Sequence, residues 1–148
     1  MNEQLLAVRV GPYLFGAPVS SVTEILAKPS VTRIPRTPSV IAGVAVVRGQ
    51  PLAVLTLRPA LDLPPDDVTL ALRWGGHRGA ALVAVDQVES LWNPANPLPP
   101  ELWQGLVPTH VAGWIPRAYR TGDEWLWEWA EDLPDRLQDM AVAHATGA

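Results

Sequence analysis

The strongest constraint on the fold is a repeated pattern of apolar segments that pair across short, glycine-containing turns. Within these segments apolar residues recur with a period of two, which is the period of a β-strand. Each turn is short enough to join two neighbouring antiparallel strands. Four pairs are present: residues 5–10 with 13–17, 43–47 with 52–57, 69–74 with 80–88, and 111–119 with 125–129. The pattern predicts four hairpins and an all-β protein.

Some of these segments are apolar on both faces, which limits how the hairpins can pack. Residues 44–47 and 82–85 have no polar side chain on either side of the strand. A strand of this kind must be buried on both faces, so the sheets must stack or close on themselves. Asp86 follows the second of these segments, and we expect a turn or a bulge at this polar break.

Helix signals are fewer. Val19, Val22 and Ile25 have helical spacing and predict a two-turn helix after the first hairpin. Residues 131–142 predict a terminal helix, followed by a frayed end over residues 143–148. Residues 93–108 contain five of the sixteen prolines and predict a loop or linker.

Composition excludes several classes of function. At 148 residues, with 48% apolar and 18% charged residues, the chain has the make-up of one globular domain. The net charge of −4 and the absence of a basic run argue against a nucleic-acid partner. The absence of cysteine excludes disulfides and thiolate metal sites. The longest apolar run has eight residues, whereas a spanning helix needs about 20, so we expect a cytoplasmic protein without direct membrane contact.

The sequence contains no credible catalytic or metal-binding group. His77, His110 and His144 are spread along the chain, and none stands in a ligand-spaced motif. No serine has the context of a nucleophile elbow, and no glycine-rich segment opens a helix to bind phosphate. We therefore expect no catalytic residue, no metal and no cofactor.

The tryptophans allow two interpretations. Trp125, Trp127 and Trp129 alternate along the last predicted strand and therefore share one face. This face could form an aromatic platform, which would make the protein a ligand-binding β module. It could also form an internal wall over the proline-rich loop, and the usual burial of tryptophan favours that alternative.

The second hairpin contains the best candidate for a partner contact. Arg48 stands beside Gly49 at its tip, between two apolar arms. The planar guanidinium suits carboxylates and carbonyls on another surface, although a solvated turn arginine is the simpler alternative. Glu24 could be a solvated acid on a helix face; its two functional alternatives are to contact a partner or to brace Arg48. The missing side chain of Gly43 could admit a partner helix or serve the local backbone.

The stretch between residues 22 and 63 resembles the CheW-like domain family, the adaptors of bacterial chemosensory arrays. The family pattern reads Val-x-Glu-Ile, Ile-Pro and a second Pro, Gly-Val-x-x-x-Arg-Gly, and then Leu-Arg before a short helix. The matching positions, in order, are Val22, Glu24, Ile25, Ile34, Pro35, Pro38, Gly43, Val44, Arg48, Gly49, Leu57, Arg58 and Leu61. The chain departs from the family pattern at Val46-Val47, at Thr56 and in the tryptophan-rich last strand, as a divergent member would.

The resemblance implies one domain over residues 4–133, made of two intertwined five-stranded SH3-like β-barrels with a short helix after the first hairpin. Residues 134–148 would form a C-terminal helix and tail. It also implies a non-enzymatic adaptor that couples the cytoplasmic tip of a chemoreceptor, a methyl-accepting chemotaxis protein, to the regulatory domain of a chemotaxis-type histidine kinase. The partner-binding residues that it implies are Val22, Glu24, Gly43 and Arg48.

Overall fold

A computed structural model describes residues 3–76 and 78–146, and in this part of the chain the backbone forms ten strands and two α-helices. The strands are β1 (Leu5–Val10), β2 (Tyr13–Pro18), β3 (Val22–Ala27), β4 (Ile41–Val47), β5 (Gln50–Leu55), β6 (Leu70–Gly76), β7 (Gly79–Val85), β8 (Gln87–Trp92), β9 (Arg117–Thr121) and β10 (Glu124–Glu128). The helices are α1 (Thr109–Ala112) and α2 (Leu133–Thr146).

The strands form two five-stranded sheets that share the chain in an intertwined order. Sheet 1 has the order β8-β1-β2-β10-β9, and sheet 2 has the order β3-β6-β7-β5-β4. The chain begins in sheet 1, builds all of sheet 2, and then returns to complete sheet 1. The four predicted hairpins are present, and parallel pairing of β2 with β10 and of β5 with β7 joins them. The predicted all-β, SH3-like fold class is confirmed.

Three apolar cores explain why the strands are apolar on both faces. The largest lies between the sheets and contains Phe15, Trp74 and Trp129. Each of the two smaller cores draws on all five strands of one sheet, so each sheet must curve around its own core. In β7, Val83 faces the core between the sheets, whereas Leu82 faces the core of sheet 2. Each side of β7 is therefore buried in a different core. The same prediction is wrong for residues 44–47, because β4 is an edge strand: Ala45 and Val47 face the core of sheet 2, whereas Val46 is 68% exposed.

The helix after the first hairpin is shorter than predicted. Only Val19–Ser21 form a 3-10 helix, and the prediction of helix through residues 22–26 is wrong, because these residues belong to β3. Val22, Thr23 and Ile25 are β-branched and favour an extended backbone, and β3 pairs along its length with β6. Helical spacing of three apolar residues misled the prediction because pairing with another strand overrode it.

Two predicted strands need correction. Residues 111–119 do not form one strand: residues 109–112 form α1, and β9 begins only at Arg117, directly after Pro116. Proline lacks the N–H that a sheet ladder requires, so it marks the strand boundary. Residues 80–88 form two strands, β7 and β8, which belong to different sheets. The break lies at Asp86, where the sequence predicts a turn or bulge.

The predicted terminal helix is confirmed with shifted bounds, since α2 begins two residues later and continues to Thr146. The frayed end predicted from residue 143 is therefore helical as far as Thr146, and residues 147–148 lie outside the described part of the chain. Leu133 and Leu137 on this helix are fully buried in the core between the sheets. Trp74 Nε1 donates a hydrogen bond of 2.7 Å to the carbonyl of Glu131, two residues before the helix begins. No helix in residues 3–76 and 78–146 is long and apolar enough to cross a membrane.

We predict that Leu55→Asp unfolds the protein, because Leu55 is fully buried in the core between the sheets. An unpaired buried charge costs several kcal/mol, against a total stability of about 5–15 kcal/mol. Ile41→Asp should act in the same direction, since Ile41 packs against the same core. Thermal melting followed by circular dichroism measures the effect.

The matched control is Val46→Asp, which changes an exposed residue in the same hairpin. This variant should melt near the wild-type temperature. Equal melting temperatures for Leu55→Asp and Val46→Asp would show that the hairpin register is wrong.

Candidate functional site: the tip of the β4–β5 hairpin

The β4–β5 turn holds Arg48 in a defined position. Val47 pairs with Gln50, so the turn contains only Arg48 and Gly49. Both residues have positive φ, 49° and 81°, as in the type I′ turns that favour two-residue hairpins. Asn or Gly is usual at the first position, and an arginine there is sterically less favourable. The hairpin tip predicted from the sequence is confirmed.

Arg48 and Glu24 form a two-point ion pair across the open side of sheet 2. Arg48 Nη1 donates to Glu24 Oε2 at 2.8 Å, and Nη2 donates to Oε1. The hydrogen bonds from Arg48 lower the pKa of Glu24 below its ordinary value and raise the pKa of Arg48. Of the two alternatives for Glu24, the structure therefore shows the brace. The Arg48 side chain remains 65% exposed, whereas that of Glu24 is 26% exposed.

Two further polar residues complete this group, and the sequence analysis did not find them. Arg73 Nη1 lies 3.8 Å from Glu24 Oε1, and Arg73 Nη2 donates to the side-chain oxygen of Gln50 at 2.8 Å. Glu24, Arg73 and Gln50 share strand faces with Leu26, Ala71 and Leu52 in the core of sheet 2. Polar residues at the inward-facing ends of apolar strands were the signal that could have identified them.

This polar group links the two edge strands of sheet 2 through side chains. β3 and β4 are the two edges of the sheet. The Glu24–Arg48 ion pair links β3 to the turn that follows β4. Towards the other end of β4, Thr32 forms an isolated bridge with Val44. Side chains at the tip and a short bridge from the linker thus connect the two edges.

The structure does not bring the other two predicted site residues together at the tip, since Gly43 lies near the start of β4 and Arg48 follows its last residue. Val22 is half-buried, pairs with Trp74 and packs against the core between the sheets. Gly43 is buried, and a Cβ atom there would clash with the carbonyl oxygen of Thr32 and lie 2.8 Å from Val31 Cγ1. The absence of a side chain at Gly43 therefore leaves room for Val31 and Thr32 of the same chain, which supports the backbone explanation for this glycine.

Sheet 1 has comparable charged groups at both ends of its core. Arg9 donates to Glu124 and, at 2.6 Å, to Glu89. At the opposite end Glu128 is buried and accepts hydrogen bonds from Arg117 and from the Tyr119 hydroxyl. Burial and the Glu128 carboxylate raise the pKa of Tyr119 to about 12. Of these arginines, Arg9 has a side chain that is 26% exposed, whereas the side chains of Arg117 and Arg48 are 55% and 65% exposed.

The tryptophan face is part of the protein interior. Trp129 is fully buried and stacks on Phe15 with ring centroids 4.8 Å apart. Trp127 is also buried, and Trp125 stacks on it at 5.2 Å beneath the guanidinium of Arg120. These contacts confirm the internal-wall interpretation and leave no open three-ring platform.

The histidines and acidic residues that the structure describes do not form a metal site. Within residues 3–76 and 78–146, no three His, Asp or Glu side chains are placed to hold a metal ion. His110 Nε2 donates to the carbonyl of Ala60 at 2.9 Å. His77 and the side chain of His144 lie outside the described part of the chain.

Comparison with known proteins identifies the family. The model of the CheW-like domain matches residues 4–127. The fold is similar to that of the scaffolding protein TtCheW from Thermoanaerobacter tengcongensis, with a TM-score of 0.73 and 20% sequence identity over 88% of this chain and 85% of that one. A comparison with curated proteins gave no match. The matched region covers most of the described strands, and this chain belongs to the CheW-like domain family.

Proposed function

We propose that the protein is a non-enzymatic adaptor that couples chemoreceptors to a chemotaxis-type histidine kinase. Membership of a family of scaffolds and adaptors supports this role. The observation that carries the proposal is the exposed, braced guanidinium of Arg48 at the hairpin tip. The partners proposed are the cytoplasmic tip of a receptor and the regulatory domain of the kinase, which places the protein in the cytoplasm.

Arg48 is suited to a partner contact because its geometry is fixed before binding. The type I′ turn sets the backbone, and Glu24 orients the guanidinium through two of its five N–H groups. The remaining donors and the planar face are open to another molecule. Ordering a long side chain on binding usually costs free energy, and this arrangement reduces that cost. Arginine is also among the residues that most often dominate interfaces.

The surroundings of Arg48 offer apolar area for the same contact. Ile25 on β3 is 48% exposed and Val46 on β4 is 68% exposed, on the two strands that the ion pair joins. Val22 would form the inner apolar wall of a receptor groove, because it is half-buried beside the core between the sheets. Gly43 would act indirectly, because its lack of a side chain lets the segment that precedes β4 pack against this strand. An exposed apolar residue on each of these strands provides the apolar area that the centre of an interface usually contains.

The proposed mechanism is scaffolding. One surface binds the receptor tip, and the ends of the barrels dock on the kinase's own CheW-like regulatory domain. Two moderate interfaces held in one assembly raise the effective concentration of each partner for the other. The receptor can then control the kinase if the two surfaces fit differently in the two signalling states of the receptor.

The alternative function, a ligand-binding β module, depends on the tryptophan face. Trp127 and Trp129 are buried, and Arg120 covers Trp125. An aromatic platform needs open ring faces, so the contacts of the described residues favour the adaptor.

We predict that Arg48→Glu abolishes co-assembly with receptor and kinase while the fold remains intact. Exposed ion pairs typically contribute 0.2–1 kcal/mol to stability, whereas loss of an arginine anchor can cost more than about 2 kcal/mol of binding. The measurement is co-sedimentation with receptor-bearing membranes and kinase, with a melting curve for each variant.

A charge-swapped variant, Glu24→Arg with Arg48→Glu, separates the brace from the contact. The swap restores an ion pair but presents the wrong charge to the partner, so assembly should stay lost. Its melting curve checks that Arg73, 3.8 Å from Glu24, tolerates the change. Restored assembly in a folded swap would mean that Arg48 only braces the hairpin.

We predict that the Glu24 carboxyl titrates below the ordinary value of 4.5, because Arg48 stabilises its charged form. The ion pair is therefore lost only as the pH falls through this lowered pKa. Carbon NMR of the side-chain carboxyl measures the midpoint. In Arg48→Asn, which suits the left-handed turn, the midpoint should rise towards the ordinary value. An unchanged midpoint would contradict the two-point ion pair.

A further inference from the structure

Two arginines in the linker between β3 and β4 have no partner within the described part of the chain. The chain has ten arginines, and eight of them contact a carboxylate, an amide, a carbonyl or a ring. Arg33 and Arg36 are exposed and form no ion pair or side-chain hydrogen bond with the described residues. Residues 28–40 contain three basic side chains and no acidic one, in a protein of net charge −4.

The backbone presents these arginines in a fixed way. Thr32 exchanges hydrogen bonds of 2.8 and 2.9 Å with Val44, and Thr56 N donates to the Val40 carbonyl at 2.8 Å, so the linker is tied on both sides. Between the ties, Arg36 adopts φ of 64° in a turn that the Thr37 hydroxyl closes onto the Ile34 carbonyl. Gly or Asn fits that conformation at lower cost than arginine. A residue in the left-handed conformation whose side chain forms no ion pair or hydrogen bond with the described residues suggests an external role.

The two arginines border a groove of about 740 Å³. Val10, Ile41 and Val85 contribute apolar lining, and Ile34, 44% exposed, lies between the arginines in sequence. The volume is in the range of sites that hold a few side chains. The groove adjoins the first residues of β4, whereas Arg48 follows its last residue. Seven strand residues separate the two places by about 20 Å, so both could be occupied together.

We propose that this groove binds an acidic peptide segment of a partner protein, with carboxylates paired to Arg33 and Arg36. Bidentate arginine–carboxylate pairs give both affinity and orientation. Asp66 and Asp67 also line the groove, and Arg58 there is already paired with Asp86 at 2.8 Å. These carboxylates would repel a surface of uniform negative charge, such as a nucleic acid or an anionic membrane. A peptide can place neutral or basic groups beside them. The proposal is independent of the adaptor function.

The test begins with selection from a random 12-residue peptide library on the immobilised full chain. The selected peptides should be rich in Asp and Glu relative to Lys and Arg. A synthetic copy should bind the wild type in a fluorescence anisotropy titration and bind Arg33→Gln/Arg36→Asn at least ~10-fold more weakly. Arg120→Gln, an exposed arginine on β9, is the matched control and should bind as the wild type does. The proposal would be overturned if the selected peptides were not enriched in acidic residues, or if the double variant bound the peptide as tightly as the wild type does.

Two further measurements separate the proposal from its rivals. Asn tolerates the left-handed backbone, so Arg36→Asn should melt at or above the wild-type temperature. A clear fall in melting temperature would assign Arg36 a structural role and refute the proposal. Vesicles with anionic lipid and a duplex DNA should not bind. If the wild type bound the vesicles or the DNA and the double variant did not, the ligand of the groove would be a polyanion and not a peptide.

Discussion

The burial of central strands on both faces is the constraint on which the rest of this structure depends. An apolar strand of this kind needs two apolar surroundings, and two curved sheets packed together provide them. One face enters the shared core, where Phe15, Trp129 and Trp74 are neighbours, and the other enters the core of its own sheet. Helix α2 then covers the shared core through Leu133 and Leu137. The chain order is intertwined, because sheet 1 begins before sheet 2 and is completed only after it.

Because the cores are apolar, charged side chains on the inward faces are confined to the strand ends, where they pair. Arg9 with Glu124 and Arg117 with Glu128 close the two ends of sheet 1. At the tip of sheet 2, the Glu24–Arg48 pair performs the same task, and the Arg48 side chain, like that of Arg117, stays more than half exposed. The candidate partner contact is therefore a part of the structural closure that also faces outward. This double role explains how a surface arginine can be rigid without being buried.

The sequence predicted the features that depend on local pattern. Period-two apolar segments with short turns predicted the hairpins, and the pattern around Arg48 predicted its position at a tip. It failed where a pairing distant in the chain decides the conformation: β3 is extended because of β6, although Val19, Val22 and Ile25 have helical spacing. It could not reveal that Arg73 joins Glu24, or that Thr32 fills the space at Gly43. Those contacts depend on how the sheet curves, which no local pattern encodes.

The central claim is that the hairpin tip of sheet 2 faces the receptor, and site-specific crosslinking tests it most directly. The chain has no cysteine, so Val46→Cys introduces a single thiol two residues before Arg48. Leu91→Cys, at a similarly exposed residue on the edge of sheet 1, serves as the control. The account predicts that, in kinase-containing assemblies, the receptor tip crosslinks to position 46 and not to position 91. Crosslinking at position 91 alone would contradict it.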